Sequence, residues 1–186
     1  MAAAAVVVVA VVGFTIWAVT SGSSRVRSSA ASGATSTAPP AVTTPGAPVG
    51  GTPAPGFTLR TLDGHLVSLV QLIGHPVLVN FWASWCDQCR HEFPLLAAAQ
   101  QRHRAQGLTI VGIASQDIES DARSFAKHEH ASWTLAFDTD NAVGDAYGVR
   151  ALPQTFFIRS DGTIASRLFG LTSQRELEGD LRGILG

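Results

Sequence analysis

Trp85-Cys86-Asp87-Gln88-Cys89, directly after the apolar run Val77-Leu78-Val79-Asn80-Phe81-Trp82, decides how this chain reads. It holds the only two cysteines of the sequence, two residues apart. A strand that ends in Cys-x-x-Cys and then opens a helix places the first sulfur at a helix N-terminus. Unpaired N–H groups and the helix dipole there favour a thiolate over a thiol. The second sulfur lies one turn on, within reach of a mixed disulfide formed at the first. The pattern therefore reads as reversible thiol–disulfide exchange. Two duller readings stand beside it. Half of a zinc site would need further ligands; there is no other cysteine, and His91 and His103 form no ordered His-x-x-x-His pair. An inert structural disulfide would close so short a loop that it adds little stability.

Toward the N-terminus, Ala2 to Thr20 carries no charge and is almost all Ala, Val, Ile, Phe and Trp. About 19 such residues at 1.5 Å each nearly match a bilayer core of roughly 30 Å. The run (residues 1–20) reads as a retained membrane anchor, with a cleaved signal peptide as the alternative. A signal peptide has a basic start and a small-residue cleavage site, and Ala18-Val19-Thr20 fits the latter poorly. Arg25 and Arg27 follow the run, which under the positive-inside rule alone leaves the domain in the cytoplasm. The abrupt start inside an apolar run leads us to expect a basic stretch upstream of Met1, with the domain outside.

From Ser28 to Gly56 only Ser, Ala, Gly, Thr, Pro and Val occur, so no core can form. Residues 21–55 read as a disordered tether, a composition that suits an extracytoplasmic stalk. Residues 56–186 then make one domain of usual size. The net charge of −1, with acids and bases interspersed, gives no sign of a nucleic-acid partner.

Within the domain, Phe57–Arg60 and Leu66–Leu69 flank Asp63-Gly64 as a small hairpin. Val77–Trp82 and Leu108–Ala114 are continuous apolar runs, as expected of strands covered on both faces. A helix is expected from Cys86 to about Arg104, with a kink at Pro94. A second is expected over Ser120–His130 with Ser120 as its N-cap. Leu135–Phe137 reads as a short strand and Asn141–Tyr147 as a short helix closed by Gly148. Thr155–Ile158 and Ile164–Leu168 form a hairpin around Asp161-Gly162, and Ser173–Leu185 is a terminal amphipathic helix. Alternating strands and helices give an α/β domain with a mixed sheet.

These residues resemble the thioredoxin superfamily and, more closely, the membrane-anchored TlpA/ResA-like thiol–disulfide oxidoreductases. The resemblance covers nearly all of Pro55 to Gly186. Its motifs are Ala54-Pro55-Gly56-Phe57-Thr58-Leu59, Leu62-Asp63-Gly64, Val79 to Cys89, Glu92-Phe93-Pro94 and Tyr147 to Phe156. It implies a thioredoxin-like fold with a mixed central sheet flanked by helices, an N-terminal hairpin and a central insert over about residues 112–134. It implies that Cys86 is the attacking thiolate and Cys89 the resolving thiol. Asp87 and Gln88 occupy the potential-tuning dipeptide and differ from the Gly-Pro or Glu-Pro common among relatives. Pro153 matches the superfamily's cis-proline, with Leu152 offering backbone bonds to a bound partner. Asn80 stands where thioredoxins carry a titratable Asp. Glu92 matches a subgroup glutamate that can accept the Cys89 proton through water; the plainer alternative is a solvated helix residue. Trp82 and Trp85 would collar the disulfide, although plain core packing is the preferred reading for Trp82. Trp133 is read as packing, and His65, His75, His103, His128 and His130 as solvated.

The expected function is that of an extracytoplasmic, membrane-tethered, single-pass and monomeric oxidoreductase of the cytoplasmic membrane. It reduces protein disulfides, for example apocytochrome c cysteines before haem attachment, and is recharged by a transmembrane thiol electron donor. No organic cofactor or metal is implied. Two alternatives remain: an oxidant that introduces disulfides into exported proteins, and a non-catalytic redox sensor. A peroxidase is disfavoured, because no Pro-x-x-x-Thr-x-x-Cys segment occurs.

Overall fold

The structure is a computed structural model that describes residues 51–186. The expected anchor and most of the expected tether lie outside the described residues. The described chain runs β1 (Thr52–Pro53), β2 (Thr58–Thr61), β3 (Leu66–Ser68), α1 (Leu69–Leu72) and β4 (Val77–Trp82). Next come α2 (Asp87–Arg102), a 3-10 turn (Arg104–Gln106), β5 (Thr109–Ala114), α3 (Glu119–His128) and β6 (Thr134–Phe137). The last elements are α4 (Ala142–Ala146), β7 (Gln154–Ile158), β8 (Thr163–Phe169) and α5 (Gln174–Leu185).

The strands form one mixed sheet in the order β1-β8-β7-β4-β5-β6-β2-β3. Strands β4, β5 and β6 are parallel, with Val77 to Trp82 in register with Thr109 to Ala114. Strand β7 runs antiparallel to β4, and the hairpin β7–β8 carries an irregularity at Phe157/Ile158. All six residues of β4 are buried, as a central strand covered on both faces requires. One face packs Val77, Val79 and Phe81 with Val111, Tyr147, Val149 and Phe156. The other packs Leu78 with Leu96 of α2, Leu181 of α5 and Phe157. At the carboxyl end of β4, Trp82 joins Phe93 of α2 and Ala122 and Phe125 of α3 over the cysteine pair.

Several boundaries differ from the sequence reading. Thr52–Pro53 pairs with Ile164 and Thr163, so ordered chain begins before residue 56. Leu69 starts a one-turn helix instead of extending the hairpin. Helix α2 ends at Arg102, and the chain closes through the 3-10 turn onto Gly107 in the left-handed region. Helix α3 starts at Glu119 with Ile118 at its N-cap position, so Ser120 is inside the first turn and not the cap. Its hydroxyl bonds Asp121. Acidic Glu119 and Asp121 occupy that first turn, where the helix dipole favours them. Helix α5 begins with a reciprocal capping box between Ser173 and Glu176. His103 is not a free solvated side chain, since its ring bonds Glu178 and Gln106.

Candidate active site

The end of β4 delivers the chain to the N-terminus of α2, and Cys86 takes the N-cap position. Its sulfur accepts the Cys89 N–H at 3.1 Å, the interaction by which a helix start stabilises negative charge on sulfur. Cys86 and Cys89 are joined as a disulfide. The two sulfurs are unequal in access: Cys86 is 6% exposed and Cys89 1%. Asp87 and Gln88 are both exposed on the first turn of the helix. Trp85 is 60% exposed and anchored by its indole N–H, which donates to the Gln116 carbonyl at 2.9 Å. Trp82 is buried, stacked edge-on to Phe93 at 5.0 Å, so of the two indoles only Trp85 reaches the surface beside the cysteines. Trp133 packs against Phe93 as well.

The Leu152–Pro153 bond is cis. Leu152 is half-buried against the cluster that holds both cysteines. The Pro153 carbonyl accepts the Gly170 N–H at 2.9 Å. Gly170 has φ +72°, and a Cβ there would stand 3.8 Å from Gln88 Oε1. The cis-proline loop, the turn after β8 and the first turn of α2 therefore meet at one place. Phe169 and Leu171 flank Gly170 and are exposed.

Glu92 is not a solvated helix residue. It is 1% exposed, one turn along α2 from Cys89. One carboxylate oxygen accepts the Thr172 N–H at 3.0 Å, and the other accepts Asn80 Nδ2–H at 3.2 Å. Asn80 also donates to Thr155 Oγ1 at 2.9 Å. Burial raises the Glu92 pKa to about 7, against the lowering effect of the Thr172 and Asn80 hydrogen bonds. Near neutral pH this carboxyl is poised between its two forms, which is what a proton acceptor or donor needs. Asn80 thus orients the titrating group without titrating itself.

The structure brings Cys86, Cys89, Trp85, Asp87, Gln88, Glu92, Leu152 and Pro153 to one end of the sheet. It adds residues the sequence reading passed over. Thr172 and Thr155 support Glu92 and Asn80 from 80 and 75 residues away. Asp117 and Gln116 hold the segment just before Cys86. No local signal marks these residues, because their role exists only once β5, β7 and the turn after β8 come together around β4 and α2.

A profile described as the AhpC/TSA family matches residues 50–167. The chain belongs to that family. ResA of Bacillus subtilis (strain 168), a thiol-disulfide oxidoreductase, is 33% identical over 124 residues, spanning 67% of this chain and 69% of that protein. A ResA of Bacillus cereus is 29% identical over 134 residues, 72% of this chain and 78% of that protein. A crystal structure of a thiol:disulfide interchange protein DsbE from Chlorobium tepidum superimposes with a TM-score of 0.70 at 32% identity. It covers 73% of this chain and 97% of that one. With the fold and these relatives together, this family member is a thiol–disulfide oxidoreductase of the ResA/DsbE type, as the sequence motifs implied.

Proposed function

We propose that this oxidoreductase works as a reductant of protein disulfides. Cys86 attacks, Cys89 resolves and Glu92 takes the Cys89 proton. The observation that carries these roles is the asymmetry of the pair: a sulfur at the helix start, and a deeper one a helical turn from a buried carboxyl with a pKa of about 7. In the reduced protein, the Cys86 thiolate attacks one substrate sulfur. A Cys86–substrate disulfide forms and the other substrate sulfur leaves as a thiolate. Cys89 then passes its proton to Glu92, and its thiolate attacks the Cys86 sulfur. The second substrate thiolate leaves and the Cys86–Cys89 disulfide forms. Two electrons have moved to the substrate, and a dithiol donor must return them before the next turnover.

Pro153 and the Leu152 backbone line the place where a substrate strand lies, and Asp87 and Gln88 adjust the potential. The apolar run before the Pro-rich tether supports an anchored, extracytoplasmic placement, in which a transmembrane thiol carrier is the donor. Apocytochrome c is the substrate this reading favours. Among the described residues, no helix is long and apolar enough to cross a membrane. An alkaline phosphatase fusion after Gly56 tests the orientation; activity is expected, and an inactive fusion beside an active cytoplasmic reporter overturns it.

The function itself is tested with Cys89→Ala in the full-length chain. Mixed disulfides with client proteins should persist at Cys86 and be lost on adding Cys86→Ala. The equilibrium potential should lie well below roughly −200 mV, the region of reductants; a value near −120 mV would mark an oxidant instead.

A further inference from the structure

Asp117 grips the residue two before Cys86 at both its backbone and its side chain. One carboxylate oxygen accepts the Ser84 N–H at 2.6 Å, and the other accepts the Ser84 hydroxyl at 2.8 Å. That second oxygen also accepts the Ile118 N–H at 2.8 Å. On the neighbouring residue, the Gln116 carbonyl takes the Trp85 indole N–H at 2.9 Å. Gln116 has φ +55°, a left-handed conformation uncommon for a residue with a side chain. The loop after β5 is therefore bent so that a carbonyl and a carboxylate from consecutive residues both serve Ser84–Trp85.

The grip falls where regular structure stops. The β4–β5 ladder ends at Trp82, whose carbonyl accepts the Ser115 N–H, and α2 begins only at Asp87. Ser84 N–H has no strand partner there, and Asp117 supplies one. Trp85 is mostly exposed, yet its ring is pinned at the indole nitrogen. Ile118, next to Asp117, is exposed too. Trp85 thus presents an apolar face at the cysteine pair, held from outside the helix that carries the cysteines.

We propose that Asp117 is a positioning residue for exchange with protein disulfides. Resting on the function proposed above, it fixes Ser84 and the exposed Trp85 ring beside it so that a client segment with apolar side chains beside its cysteine is received in one orientation. A pre-set surface spares the client the cost of ordering it. A small disulfide has nothing to lay on that ring and reaches Cys86 without it. A residue that only stabilised the loop would affect both substrates alike.

The test uses the full-length chain with Asp117→Ala, Asp117→Asn and Trp85→Phe, insulin as the protein disulfide and 2-hydroxyethyl disulfide as the small one. Losing hydrogen bonds to a charged group, Asp117→Ala should lower kcat/KM for insulin by about tenfold or more, mainly through KM, and for the small disulfide by less than about threefold. Asp117→Asn keeps an amide oxygen for Ser84 N–H and should fall between Asp117→Ala and wild type. Trp85→Phe keeps the ring without its anchor and should lose about threefold on insulin, with a smaller loss on the small disulfide. Insulin kinetics for Asp117→Ala that match wild type overturn the inference. So does an equal loss on both substrates. If Asp117→Ala does not fold, the same two outcomes are read from the other variants. A wild-type chain that turns over the small disulfide but not insulin sinks the protein-reductase reading and this inference with it, whereas an active wild type with an unaltered substrate ratio sinks the inference alone.

Discussion

The two faces of β4 are built from alternating residues of one strand, and they differ in kind. Val77, Val79 and Phe81 meet apolar side chains, with the aromatic rings of Phe81, Tyr147 and Phe156 in mutual contact. Leu78, Asn80 and Trp82 meet α2, and the middle one is an amide bonded to a buried carboxyl and a threonine. The apolar face stabilises the domain by ordinary burial. The polar face gives up stability to hold Glu92 away from water, where its pKa sits near neutrality. A single period-2 strand thus separates holding the fold from holding the proton.

The largest expected effect breaks the apolar face. Phe156 is buried against Phe81 at 5.8 Å and Tyr147 at 4.9 Å. Phe156→Ala should cost about 3–5 kcal/mol of unfolding free energy in denaturant titrations. The molecules that remain folded should still exchange with a small disulfide, because the ring lies on the face away from Glu92.

The next effect belongs to the polar face and depends on pH. Glu92 has a folded pKa of about 7, above its ordinary 4.5. Its neutral form is the one the fold favours. The contribution to stability is therefore complete below pH 4.5 and is lost as pH rises through 7. Glu92→Gln removes the ionisation, and relative to wild type it should gain on the order of 3 kcal/mol at pH 8. At pH 4 the two should differ little. Denaturant midpoints at the two pH values give the answer, and parallel pH profiles would mean that the carboxyl is not buried as described.

The smallest effect returns to the apolar face. The Tyr147 hydroxyl is buried without a protein partner among the described residues, and burial holds its ionisation well above the ordinary tyrosine range. Tyr147→Phe should leave exchange unaltered and raise stability by about 1 kcal/mol, read from the same unfolding curves.

How much of this was legible in the sequence follows the same division. The buried strands, the Cys-x-x-Cys junction and Pro153 announce themselves locally, by an unbroken apolar run, a spacing and a family motif. The state of Glu92 does not. In sequence it is a polar residue on a helix, and only the approach of Thr172 and Asn80 turns it into a buried, partnered group. Asp117 likewise looks like a loop acid until β5 lies beside β4. Ser120 misled for a related reason: serine has cap chemistry, but the loop held by Asp117 puts the cap position two residues earlier, at Ile118. Capping at Ser173 followed the local rule, its hydroxyl taking the Glu176 N–H.

The most direct test of the account is the rate of the resolving step as a function of pH. A mixed disulfide at Cys86 is formed in the full-length chain, and release of its partner by Cys89 is followed in a single turnover. With Glu92 as the proton acceptor, the wild-type rate should rise with pH through an inflection near 7. In Glu92→Gln the rate at neutral pH should fall by about 10²-fold or more, and that inflection should vanish. A Glu92→Gln profile that overlays wild type would contradict the claim that the buried carboxyl takes the Cys89 proton.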